Sequence, residues 1–173
     1  MSTPLLTSGN IALRPLEMAD MPLVYKIEND TSLWQAANTV QPLSRAAIRN
    51  FISTSSGDIY RDRQLRLVIE SCDAAVGFID LTDFSPRHMR AEVGITVMPQ
   101  HQSQGIGTVA LHLMEQYAVH TLFLHQLYAY VAPDNEISLR LFTRAGYQRV
   151  GILQEWAKTP YGYNPIILFQ KIF

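Results

Sequence analysis

At 173 residues, with 47% hydrophobic and 17% charged side chains, the chain has the size and composition of one folded, soluble unit and not of a disordered one. Its 14 basic and 15 acidic residues leave a formal net charge of −1 with no basic stripe, which argues against nucleic acid as a main partner. The single cysteine, Cys72, excludes an internal disulfide and a cysteine-rich zinc site, and no apolar run approaches the length of a membrane span.

The opening MSTPLLTSGN has no basic region followed by a long apolar run, so it does not read as a signal peptide, and a cytoplasmic enzyme or binding module is expected. Ile11, Leu13 and Leu16 form a first short strand that Pro15 marks as an edge or an ending. Asp20 is placed to cap a helix with Pro22 in its first turn and Leu23, Val24 and Ile27 on its inner face. Ser44 is placed to cap a second, with Ile48, Phe51 and Ile52 inward. Residues 29–41 and 53–57 read as loops.

A meander follows, with strands over 65–71, 75–84 and 90–97 and turns at Asp73 and at Ser85, Pro86 and Arg87. The run from Val97 to His120 then passes from a polar, glycine-bearing turn into a helix, on which Leu111, Met114 and Ala118 share a buried face with Leu122 beyond them. A strand over 125–132 is followed by Pro133, Asp134 and Asn135, which offer caps to a helix over 137–144 that Gly146 ends in the C′ position. Two strands, 147–156 and 166–173, close the chain. The order is mixed α/β: about seven strands in a mostly antiparallel sheet, about four helices, and one domain over 1–173.

Gly105 and Gly107 stand where the turn meets the central helix. Glycine there permits positive φ and close backbone approach, and the unpaired first-turn N–H groups of the helix make an anion site suited to a phosphate or pyrophosphate. Gly105-x-Gly107-x-x-Ala110 also satisfies the dinucleotide fingerprint, but its context does not. Several polar residues separate Val97 from Gly105, the next strand carries no acidic residue, and three antiparallel-looking strands precede the motif.

Val97-x-Pro99 leading to Gln102-x-x-Gly105-x-Gly107 resembles the acetyl-CoA loop of the GNAT superfamily of N-acetyltransferases, Q/R-x-x-G-x-G/A. ALRPLEMADM (12–21) resembles that family's first strand and helix, RAEVGITV (90–97) its fourth strand, and PDNEISLRLFTRAGY (133–147) its Asn-x-x-Ser…Gly-Phe/Tyr segment. The likeness spans nearly the whole chain and is similar for two neighbouring groups, one acetylating N-terminal amino groups of ribosomal proteins and the other acetylating spermidine and related polyamines.

The resemblance implies acetyl-CoA as co-substrate, with amides around Gln104, Gly105, Gly107 and Thr108 on the pyrophosphate, Gln102 opening the motif, and the backbone of Ile95 to Val97 pairing with pantetheine. It places Asn135 on the pantetheine arm or at the helix cap. Many relatives carry Arg or Lys where this chain has Gln104. An amine nucleophile must lose a proton, and Glu92, where some relatives place an acidic base, is the expected base, with Asp80, Asp83 and His88 behind it. The tyrosine that protonates the thiolate in many relatives is Phe142 here. Ser138, in Asn135-x-x-Ser138, matches a serine that some N-terminal acetyltransferases place near the coenzyme sulfur, and the resemblance makes its hydroxyl the expected donor to the leaving thiolate, with Tyr130 and Tyr147 as further candidates. Trp34 and Trp156 line an acceptor pocket or fill the core. The histidines have no convincing metal-ligand arrangement, so no metal is expected. The implied enzyme transfers acetyl from acetyl-CoA to a primary amine in a ternary complex. Its acceptor is a small-molecule amine or a protein N-terminus, and the oligomeric state is left open, a homodimer being compatible with relatives that often pair. The alternative is a non-catalytic acyl-CoA-binding or sensor domain.

Overall fold

The computed structural model describes residues 6–34 and 40–173. Eight strands form one sheet in the order β1-β2-β3-β4-β5-β6-β8-β7. They are β1 (Thr7–Ser8), β2 (Ile11–Pro15), β3 (Leu65–Ser71), β4 (Ala74–Ser85), β5 (Arg90–Val97), β6 (Gln126–Val131), β7 (Gln148–Thr159) and β8 (Gly162–Ile172). All neighbours run antiparallel except β5 and β6, which are parallel. The helices among the described residues are α1 (Met21–Glu28), α2 (Arg45–Thr54), α3 (Ile59–Asp62), α4 (Ile106–His120) and α5 (Glu136–Arg144), with 3-10 turns at Met18–Asp20 and Pro99–His101.

Alternation along the strands divides the core in two. On one face Leu67, Ile69, Val93 and Leu127 pack with α4 and α5. On the other, Val68 and Phe78 pack with Val24 and Ile27 of α1 and Ile48 of α2. In α4, Leu111, Met114 and Ala118 are fully buried, and Leu122 is buried just past its end. Burying a side chain the size of Leu111 contributes about 1.5–3 kcal/mol, so this face fixes the direction of the helix that follows the glycine turn.

The mixed, mostly antiparallel α/β sheet expected from the sequence is the one observed. Two small elements exceed the expected seven strands and four helices: the two-residue edge strand β1, and α3, capped by the Asp58 side chain on the Tyr60 amide. Ser44 caps α2 by accepting from the Ala47 amide, and Gly146, at φ +88°, follows α5.

Asp20 differs from the expectation. It precedes α1, but its carboxylate makes no cap bond. Instead it receives both terminal nitrogens of Arg14 (2.8 Å each) and the Glu17 amide (2.8 Å), while Arg14 Nε donates to Glu70 on β3. The two charge-assisted bonds from Arg14 and the Glu17 amide occupy the carboxylate, which is then not free for the first-turn amides of α1. The second expected loop begins later than 53, because α2 runs to Thr54. Of the loop expected over 29–41, residues 35–39 lie outside the described residues.

Candidate active site

β5 and β6 are in register over only three pairs, Arg90↔Gln126, Ala91↔Leu127 and Glu92↔Tyr128. Beyond Glu92, β5 continues to Val97 paired with β4 alone, and β6 continues to Val131 paired with β8. The side of β5 that faces the gap therefore has backbone groups without a ladder partner, inside a sheet. A cleft of about 570 Å³ occupies the gap. Ile95, Thr96 and Val97 form one wall, and Asn135, Ser138 and Leu141 of α5 stand on the other.

The glycine turn closes the far end. Gly105 sits at the N-cap of α4 with φ +80°, a conformation that side chains with a Cβ rarely adopt, and Gly107 in the first turn lines the cleft with Thr108. A Cβ on Gly107 would lie 3.7 Å from Ile95 Cδ1 and 3.8 Å from Leu141 Cδ2, so a larger group there would run into both walls. The first turn of α4 holds no acidic residue, which leaves its positive end open to an anion. Gln102 donates from Nε2 to the Val97 carbonyl (2.8 Å) and so ties the turn to the end of β5.

Gln104 is exposed, does not line the cleft, and donates to the Gln100 carbonyl (3.1 Å). The cations near the cleft come from elsewhere: Arg140 and Arg144, one helical turn apart on α5, both line it. Their i, i+4 spacing is visible in the sequence, and it is the signal that reading the loop alone passes over.

Asn135 caps α5 by accepting from the Ser138 amide (3.1 Å) while lining the cleft. Ser138 also lines it, and its hydroxyl has no hydrogen-bond partner among the described residues. Phe142 is buried (3% exposed), edge-on to Tyr147 with centroids 5.0 Å apart. Tyr147 is buried with it. Burial and the Glu115 carboxylate push its phenol well up, and Lys171 lies over its ring. Tyr147 does not reach the cleft, which removes it as a proton donor.

Glu92 is the last residue of β5 paired with β6; it does not line the cleft, whose β5 wall begins at Ile95, and it lies on the face of the sheet away from α4. It is half-buried, and its carboxyl is pushed above the usual glutamate range by burial. A hydrogen bond from the Thr82 hydroxyl (3.4 Å) opposes the shift, and the nearby Asp83 charge adds to it. Asp80 is held by both Nε and Nη2 of Arg66 (2.8 and 2.9 Å), which also binds Glu28 (2.6 Å). His88 is exposed in the β4–β5 turn. Asp83 accepts the Tyr128 hydroxyl. Tyr130 stacks on Trp156 (6.2 Å between centroids, 26° between planes), and Trp156 is 59% exposed, so it does not fill the core. Trp34 donates its indole N–H to the Glu28 carbonyl (2.9 Å). Among the described residues no group of three or more His, Cys, Asp or Glu is placed to hold a metal.

The model of the acetyltransferase (GNAT) domain family matches residues 10–148, most of the chain. The protein belongs to the GNAT family. Spermidine N(1)-acetyltransferase of Escherichia coli (strain K12) is 28% identical over 152 residues, which cover 85% of this chain and 77% of that one. A Bacillus subtilis (strain 168) protein, "Uncharacterized N-acetyltransferase YoaA", is 25% identical over 93% of this chain and 94% of its own. Among solved structures, spermidine N-acetyltransferase from Vibrio cholerae in complex with CoA and spermine superposes with a TM-score of 0.85 at 21% identity, covering 94% and 95% of the two chains. Membership of the GNAT family makes this an acetyltransferase fold, and the parted strands, the αL glycine and the arginine pair are features of this chain's own cleft.

Proposed function

We propose that the protein is an acetyl-CoA-dependent N-acetyltransferase that acts on a primary amine by direct attack in a ternary complex. The observation that carries this reading is the parting of β5 and β6 at Glu92 and Tyr128. It leaves a long cleft on one side of the junction and a carboxylate with a raised pKa on the other.

The cleft fits the co-substrate. Amides of Gly105, Gly107 and Thr108 at the start of α4, with Arg140 and Arg144, would hold the phosphates. The unpaired edge of Ile95 to Val97 and the side chain of Asn135 would take the pantetheine arm, as an added strand is taken. Acetyl-CoA supplies an activated thioester.

The remaining steps fall to the chain. Glu92 takes a proton from the bound ammonium, freeing the nitrogen lone pair to attack the carbonyl carbon. The C–N bond forms, the C–S bond breaks and the proton shed by the new amide nitrogen neutralises the departing thiolate, while a backbone amide of the β5 edge polarises the carbonyl oxygen. Ser138, in place of a tyrosine at 142, donates a hydrogen bond to the departing thiolate. The open face around Glu92 carries Glu28, Asp80, Asp83 and Glu92 against Arg66 and Arg90, an acidic excess that attracts a protonated amine.

Free-thiol release from acetyl-CoA with spermidine, shorter diamines, amino sugars, aminoglycosides and short peptides with free N-termini tests the proposal, with Gly107→Trp as control. Turnover with one class that the control lacks supports it. Coenzyme binding without turnover on any amine favours the acyl-CoA sensor, the reading that the buried Phe142 supports. No binding at all overturns both.

A further inference from the structure

A second cavity, of about 260 Å³, lies on the face of the sheet away from α4 and α5, over β6 and β8. It is not the coenzyme cleft, and no residue lines both. Asp83, Arg90, Gln126, Tyr128, Tyr130 and Gln170 supply its polar and aromatic lining.

A bulge in β4 brings Asp83 to it. The β4–β5 register runs to Thr82↔Glu92 and resumes at Ser85↔Arg90, so β4 holds one residue more than β5, and Asp83 takes φ +46°. In a regular strand Asp83 would point to the face opposite Thr82. The bulge instead lets Thr82 and Asp83 both serve the Glu92 face while Phe84 turns into the core, the re-aiming for which bulges are used. From there Asp83 reaches past β5 to the Tyr128 hydroxyl on β6. Because that hydroxyl donates to Asp83, its oxygen is left to accept.

The register then orders the lining along the strands. Glu92, beside the lining residues Asp83 and Tyr128 but not itself among them, is level with Tyr128, and Arg90 is level with Gln126. The first row, with Asp83, is a set of hydrogen-bond acceptors suited to an ammonium. The second lies two residues away on the same face, about 6–7 Å along the strand, and offers a guanidinium and a carboxamide. Among the described residues the Arg90 guanidinium makes no ion pair or hydrogen bond of its own.

We propose that this cavity is the subsite for the non-reacting part of the acceptor. On this proposal Arg90 makes the enzyme select an amine with a carboxylate or carbonyl about 6–7 Å from the reacting nitrogen over an amine with a second ammonium. The inference rests on the transferase reading only in naming the molecule an acceptor. A second ammonium at that distance would face Arg90 and meet like charge, whereas a carboxylate there accepts a charge-assisted hydrogen bond.

The test compares 5-aminopentanoate with 1,5-diaminopentane, which are matched in length and differ in the sign of the far end. Binding of each to the CoA-loaded protein is measured by calorimetry, beside thiol release from acetyl-CoA, for the wild type and Arg90→Glu. The wild type is expected to favour 5-aminopentanoate by roughly tenfold or more, and Arg90→Glu to reverse the order. Equal affinity for the two, preference for the diamine, binding of neither, or a ratio that Arg90→Glu leaves unchanged overturns the proposal. Binding with the expected order but no thiol release counts against the transferase reading and leaves the subsite standing.

Discussion

Glu92 and Tyr128 form the last register pair of the parallel junction between β5 and β6, and one residue further the strands have parted. A carboxylate is thereby fixed at the point where the strands part, half-buried and with its proton held more tightly than glutamate ordinarily holds one.

For Glu92→Gln we expect a loss of roughly 10²-fold or more in kcat/KM for the amine, with acetyl-CoA binding unchanged. The acid limb of the wild-type pH–rate profile should lie above the usual carboxylate range and be absent in the variant. Stability should move the other way. Burial disfavours the charged form, so ionising Glu92 weakens the fold once the pH exceeds the unfolded value. The variant is expected to melt higher than wild type near pH 7, and this difference should vanish below about pH 4, where both states are protonated. Thermal melts at the two pH values read this directly.

Ser138→Ala removes the hydroxyl that lines the cleft but leaves the Ser138 amide that donates to Asn135, so α5 keeps its cap. The expected result is a fall in kcat of about 10²-fold at unchanged KM for acetyl-CoA, steepest for poor leaving thiols. An unaltered kcat would remove Ser138 from the reaction.

Asp20 is buried (6% exposed) against an Arg14 side chain that is 32% exposed. Asp20→Asn leaves the guanidinium short of its main partner and should cost about 2 kcal/mol, less than a wholly buried pair because Arg14 is partly solvated. The Arg14 hydrogen bonds hold the Asp20 carboxyl below its ordinary range. Its contribution is therefore full above the unfolded aspartate value near pH 4 and is lost as the pH falls through the folded one. Urea midpoints that differ at pH 7 and converge in strong acid are the expected outcome.

The parts of the fold legible in the sequence are those governed by neighbours in the chain. Ser44 reaches an amide three residues on, Asn135 does the same, and β5 spans Arg90 to Val97 because alternation and Pro99 bound it. The glycine turn is legible because positive φ at Gly105 has few alternatives to glycine. What was not legible depends on partners distant in sequence. Asp20 has the residue type and position of a cap, and only the fold brings Arg14 and Glu70 together beside it. Asp83 looks like a spare base until the bulge and its bond to Tyr128, 45 residues on, give it a different place. Tyr147 passes for an acid donor until α5 and β8 bury it. Arg140 and Arg144 become cations of the cleft only once α5 is laid across from β5.

The short junction also bears on how the sheet holds together. Five strands lie on one side of it and three on the other, and the two groups are stitched along their backbones by three register pairs and by the His125 and Gln126 amides donating to the Met89 carbonyl just before them. It is a seam. A molecule lodged between β5 and α5, the helix that follows β6, would tie the first group to an element of the second half and supply some of the bonding that the interrupted ladder omits. Filling the cleft and tightening the seam would then be a single equilibrium, in which a ligand there acts as a rivet.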